Sequence, residues 1–136
     1  MIDDTEIYRL KRTYSAISLV YCEVYHRTVL FNLGTITGRR MVEYLKWFLT
    51  EVFYTDLEIF LRTAENEGWI TDSDKITAMT DLFVIRHDIN LKYTFLSSVR
   101  KMIRMIDVND PKTDYDSISN RIQQAIDETD MQLLLK

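Results

Sequence analysis

At 136 residues, 46% of them hydrophobic, the chain is long enough for one domain with a sizeable core. A formal net charge of -4 excludes nucleic-acid binding driven by overall charge and leaves room only for a local basic patch. A single cysteine, Cys22, excludes an internal disulfide and a cysteine-based zinc site, and its expected place is a small buried apolar position.

Only 3 glycines and 1 proline leave little turn chemistry, so the elements must be long, which favours helices. No apolar run follows a basic segment, and no stretch reaches about 18 uncharged apolar residues. Neither a signal peptide nor a membrane span is therefore expected, and the cytoplasm is the expected location.

The first helix is expected over 4–33, opened by the capping-box pattern Asp3-x-x-Glu6. Ile7, Leu10, Tyr14, Ile17, Tyr21, Val24, Thr28 and Phe31 recur at steps of three and four, a seam packed along its whole length. Gly34 and Gly38 bracket the first loop. A second helix over 39–66 presents Met41, Leu45, Phe48, Leu49, Val52, Phe53, Ile59 and Phe60 inward. Gly68 ends it, and Thr71-x-x-Asp74 starts a third helix over 72–107. That helix carries Ala78, Leu82, Ile85, Ile89, Leu96, Val99, Ile103 and Ile106 on one seam, with Val84, Leu91, Phe95 and Met102 as a second stripe. Asp110-Pro111 reads as an N-cap followed by proline, opening a fourth helix over 111–135 on Tyr115, Ile118, Ile122, Ile126 and Leu133. The expected architecture is a single all-α domain over 1–136, an antiparallel up-down four-helix bundle with short loops.

In such a bundle, positions equidistant from a turn lie side by side. Arg39 and Arg40 then fall level with Arg100, Lys101 and Arg104, making a basic end suited to an anion or RNA. Asp3, Asp4 and Glu6 join Glu65, Glu67, Asp72 and Asp74 at the other end. Inside the bundle, Asp56 and Lys92 interrupt apolar faces and His87 falls within about a turn of Asp56 across the hairpin, so the three form a candidate buried polar network. Glu23-x-x-His26 has the spacing of di-iron ligands, but no second such motif accompanies it, so a boundary position is expected and no metal or cofactor. No nucleophile stands beside a base at recognisable spacing, and an enzyme is not expected. The aromatic surplus is more informative. Trp47, Tyr54 and Leu61 recur every seven residues away from the main stripe of the second helix, the pattern of a partner interface.

The stretch Gly38-Arg39-Arg40, then Glu43-Tyr44-Leu45-Lys46-Trp47-Phe48-Leu49, Leu57-Glu58, Leu61, Ala64 and Gly68-Trp69-Ile70-Thr71 resembles a known family. These are the four-helix-bundle proteins encoded in intervening sequences of bacterial ribosomal RNA genes, the group that includes the Avd accessory protein of diversity-generating retroelements. The resemblance spans about Arg27 to Ile106. It implies a ring-forming, non-catalytic bundle that binds a reverse transcriptase and its RNA, with Arg39 and Arg40 in contact. The chain differs from Avd in its acidic balance and in the helix expected after Pro111.

From these features a non-enzymatic, self-associating helical adaptor is expected, docking to a protein or protein–RNA partner. The alternative is a small acidic inhibitor or nucleic-acid mimic, such as a phage anti-defence protein, using Glu65, Glu67, Asp72 and Asp74.

Overall fold

The computed structural model describes residues 4–52 and 80–135. They form an all-α four-helix bundle of α1 (Asp4–Asn32), α2 (Gly38–Trp47), α3 (Thr80–Arg104) and α4 (Tyr115–Leu134). The hairpin around Gly68 and the inward residues Phe53, Asp56, Ile59 and Phe60 lie outside the described residues. Among the described residues, no helix is long and apolar enough to cross a membrane.

From Tyr14 to Phe31 the seam of α1 is where the period placed it; the side chains of Ile7 and Leu10 lie outside the described residues. Ile17, Tyr21, Val24 and Thr28 are buried, and Tyr14 and Phe31 pack at the edges. Cys22 is exposed, which corrects the expectation of a buried thiol. One residue past Tyr21 is a rotation of about 100° round the helix, enough to carry it off the seam.

Gly34 closes α1 with φ at +74°, a left-handed conformation that glycine adopts without strain. Its N–H donates to the Phe31 carbonyl, and the Thr35 N–H donates to the Leu30 carbonyl at 2.9 Å. This pair of bonds is a Schellman motif, satisfying carbonyls that α1 cannot. Thr37 then caps α2, its hydroxyl accepting from the Arg40 N–H at 3.1 Å. Gly38, the first residue of α2, packs against the start of α4. A Cβ there would lie 3.1 Å from both the Asp116 nitrogen and the Tyr115 carbonyl carbon. Ser119, fully buried, donates to the Gly38 carbonyl at 3.3 Å.

Beyond Trp47 the α-helix widens into a π-helical turn, Phe48–Val52. Phe48 and Leu49 stay in the core, but Val52, expected inward, is 43% exposed. The wider turn breaks the 3.6 period, so the spacing that placed Val52 inward no longer holds there.

The start of α4 also differs from expectation. Its N-cap is Asp114, accepting from the Ser117 N–H at 3.0 Å, and Pro111 lies in the preceding loop. The carboxylates of Asp107 and Asp110 instead accept from the N–H groups of Asn109 and Lys112, and Thr113 donates to the Asp107 carbonyl. Asp110 thus shapes a turn, the other local use of an aspartate that can cap a helix.

The core joins Ile17, Val20 and Val24 to Met41, Leu45 and Leu49, to Ile89, Leu96, Val99 and Ile103, and to Ile122 and Ile126. Tyr14 meets Asp88, Ser18 meets Lys92 and Tyr21 meets Phe95, each pair 74 positions apart. A constant offset means that α1 and α3 run in the same sense.

Gly38→Ala is expected to destabilise the fold by about 1–3 kcal/mol, because backbone atoms of α4 must shift to admit the methyl group. Gly34→Ala is expected to cost about 1–2 kcal/mol through left-handed strain alone. Urea unfolding monitored by circular dichroism measures both, and an unchanged midpoint for Gly38→Ala would contradict the close approach.

Candidate functional site

Between α1 and α4 runs an open groove of about 490 Å³, lined by Tyr21, Cys22, Tyr25, His26 and Val29 of α1, Lys92 of α3, and Asp130 and Leu133 of α4. The one-residue rotation that exposes Cys22 also puts His26 and Val29 on this wall, since 22, 26 and 29 share a helix face. Tyr21 and Lys92 reach it from the core side.

Tyr21 donates its phenol hydroxyl to Asp130 Oδ1 at 2.5 Å, joining α1 to α4. Its ring meets Phe95 edge to face, with centroids 5.5 Å apart. Burial pushes the phenol pKa well above the usual tyrosine range, and the hydrogen bond to Asp130 with that carboxylate's charge pushes it further. Lys92 Nζ donates to Ser18 Oγ at 3.3 Å and stands 5.3 Å and 5.5 Å from the ring centroids of Tyr14 and Tyr21. Such cation–π geometry offsets part of the desolvation of a half-buried ammonium.

Of the expected buried network, Lys92 takes part, while Asp56 lies outside the described residues. His87 is half-buried, and the carboxylate that enters the core is its neighbour Asp88, 7% exposed, which accepts from the Tyr14 hydroxyl at 3.4 Å. Sequence reasoning missed Asp88. Its signal was the spacing Asp88-x-x-x-Lys92, which stacks the two on one face of α3.

A second feature lies on the outer side of α2. Trp47 is 54% exposed, yet its ring is held 5.8 Å from Tyr44 and 6.5 Å from Phe48, which stack on each other at 16°. Tyr44 is fixed from α1, with the Arg27 guanidinium 3.9 Å above its ring and its hydroxyl donating to Glu23 Oε1 at 2.8 Å. Glu23 also accepts from Arg27, so it is a clip between α1 and α2, and His26 is exposed. Burial raises the Tyr44 pKa, as does donation to Glu23, with Arg27 opposing. Tyr54 and Leu61, expected to extend this face, lie outside the described residues.

Arg39 is bound to Glu43 at 2.7 Å and lies 5.8 Å from the Tyr115 ring at the start of α4, with Arg40 exposed beside it. Lys46 Nζ donates to the Ile106 carbonyl at 2.6 Å, which sets the chain just past Arg104 beside the last turn of α2. Lys101 and Arg104 are exposed and Arg100 is half-buried. Exposed Asp107, Asp110, Asp114 and Asp116 follow in the loop and first turn of α4. The expected acidic residues Glu65, Glu67, Asp72 and Asp74 lie outside the described residues. Among the described residues, no group of three or more His, Cys, Asp or Glu could hold a metal ion. No protein-family model, curated protein or solved structure matches the chain.

The raised Tyr21 pKa has a definite sign. The folded state holds this proton more tightly than the unfolded chain does, so the stabilisation is complete below the ordinary tyrosine pKa of 10.0 and fades as pH rises beyond it. Tyr21→Phe is expected to cost about 1–3 kcal/mol at neutral pH through the lost bond to a carboxylate. It should also flatten the decline of stability above about pH 10. Urea titrations across alkaline pH, with phenolate absorbance followed in parallel, check both; equal slopes for the two proteins would contradict the assignment.

Proposed function

We propose that this protein is a non-enzymatic helical docking protein that associates with a second copy of itself, using the outer face of α2 as its anchor. The observation that carries this reading is Trp47, a large ring that is half-exposed and yet held in place by Tyr44 and Phe48. Tryptophan is enriched among the few residues that dominate binding energy, and a ring already fixed loses little conformational freedom on docking. The Arg27–Tyr44–Glu23 clip below it adds rigidity without adding reactive chemistry.

Exposed Leu19, Leu33 and Met105 add apolar surface elsewhere, in keeping with an interaction role. The basic residues support a protein partner better than RNA. Arg39 is neutralised by Glu43, and Asp107, Asp110, Asp114 and Asp116 would repel a phosphate backbone brought to that end.

Size-exclusion chromatography with light scattering is expected to show a concentration-dependent oligomer. Trp47→Ser should weaken its assembly by about tenfold or more, as removal of a central anchor does. In a Trp69→Phe background, the emission of Trp47 should move to shorter wavelength as protein concentration rises. A monomer at every concentration, with unchanging Trp47 emission, would refute self-association through this face.

A further inference from the structure

We propose that the groove between α1 and α4 is a binding site for a small amphipathic monocarboxylate, anchored by Lys92. An ammonium group has three donors, and Lys92 uses one on Ser18 Oγ while its positive face rests near two tyrosine rings. Among the described residues, no carboxylate stands within 4.0 Å of it; the ion pairs there are Arg27–Glu23 and Arg39–Glu43. Lys92 thus has donor capacity beyond Ser18, and it lines a groove whose other walls include Tyr25, Val29 and Leu133 as well as His26 and Asp130. One negative group against Nζ and an apolar body along those walls would match both halves of the surface.

Volume and charge narrow the class. About 490 Å³ lies within the ordinary range of small-molecule sites, of order 300–1,000 Å³. Asp130 borders the same groove, and although Tyr21 holds its Oδ1, its negative charge remains. A ligand with one negative charge, placed at the Lys92 end, gains the attraction and limits the repulsion. A dianion such as a phosphate monoester does not. The Tyr21–Asp130 bond joins α1 to α4 beside the groove and so limits how far its walls must be ordered on binding. Trp47 is not among its walls, so this site is separate from the docking face on α2.

Three probes with one chain length test the assignment: decanoate, decanol and decyl phosphate, each below its micelle concentration, titrated into isotope-labelled full-length protein and followed by NMR. Decanoate should move the resonances of Tyr25, Val29 and Leu133, and bind more tightly than either of the others. Lys92→Met, checked for retained helicity, should weaken decanoate about tenfold or more and leave decanol unchanged, because only the charge-paired component is lost. Val29→Trp, which fills the groove without touching the lysine, should abolish both. Equal affinity for decanol and decanoate, preference for decyl phosphate, or unaltered decanoate binding by Lys92→Met would each overturn the proposal.

Discussion

The register between α1 and α3 is the constraint on which the rest of the molecule depends. Three cross-links, Tyr14–Asp88, Ser18–Lys92 and Tyr21–Phe95, share one offset of 74 positions. Sliding α3 by one turn would take the Asp88 carboxylate away from the Tyr14 hydroxyl. A buried polar group that loses a hydrogen-bond donor is penalised, whereas apolar contacts along a helix seam tolerate a slip far better. Polar pairs inside this bundle thus supply what the apolar seam lacks, a single preferred alignment.

Both exposed features depend on that alignment. With α1 fixed against α3, Tyr21 is the residue that can meet Phe95 with its ring and Asp130 with its hydroxyl, and so it draws α4 into place. The groove between α1 and α4 is bordered by this contact and by Lys92, which Ser18 holds from α1. On the other flank, Glu23 and Arg27 hold Tyr44, and Tyr44 positions Trp47. A single face of α1 cannot serve both neighbours, so the helix uses its period. Residues 17, 21, 24 and 28 face the core, 22, 26 and 29 face the groove, and 23 and 27 face α2.

Much of the helix layout was legible because long amphipathic periods are averaged over many residues. The seam from Ile17 to Thr28, the loop glycines and the inward set from Ile89 to Ile103 are all of this kind. Features that hinge on one residue were not. Asp110-Pro111 carries the same local chemistry as a helix start, and only competition with Asp114 for the free N–H groups of α4 decides between them. Val52 turns outward through a π-helical turn that no simple period encodes. Lys92 was visible as an interruption of a seam, but its partners Ser18, Tyr14 and Tyr21 lie 71 to 78 positions away in the chain, and such pairings have no local signature. The groove itself is the joint product of three helices, and Cys22 and His26 read from α1 alone suggested nothing of it.

Lys92 also poses an energetic question that the fold by itself does not answer. Its neighbours Tyr14, Ser18 and Tyr21 would accommodate a leucine or methionine with little change of volume, and replacing half-buried charge with apolar bulk is often neutral or stabilising. Register does not rest on it alone, since the Tyr14–Asp88 pair shares the same offset. Asp130 does not require it either, being held by Tyr21. A cation that only shares in alignment is consistent with the ligand role proposed for the groove. Structures that keep such locally unfavourable groups tend to keep them where function uses the cost. By the same reasoning the half-exposed ring of Trp47 stabilises the folded chain less than a fully buried one would, and under the proposed docking role its rigidity has value chiefly once a partner covers it.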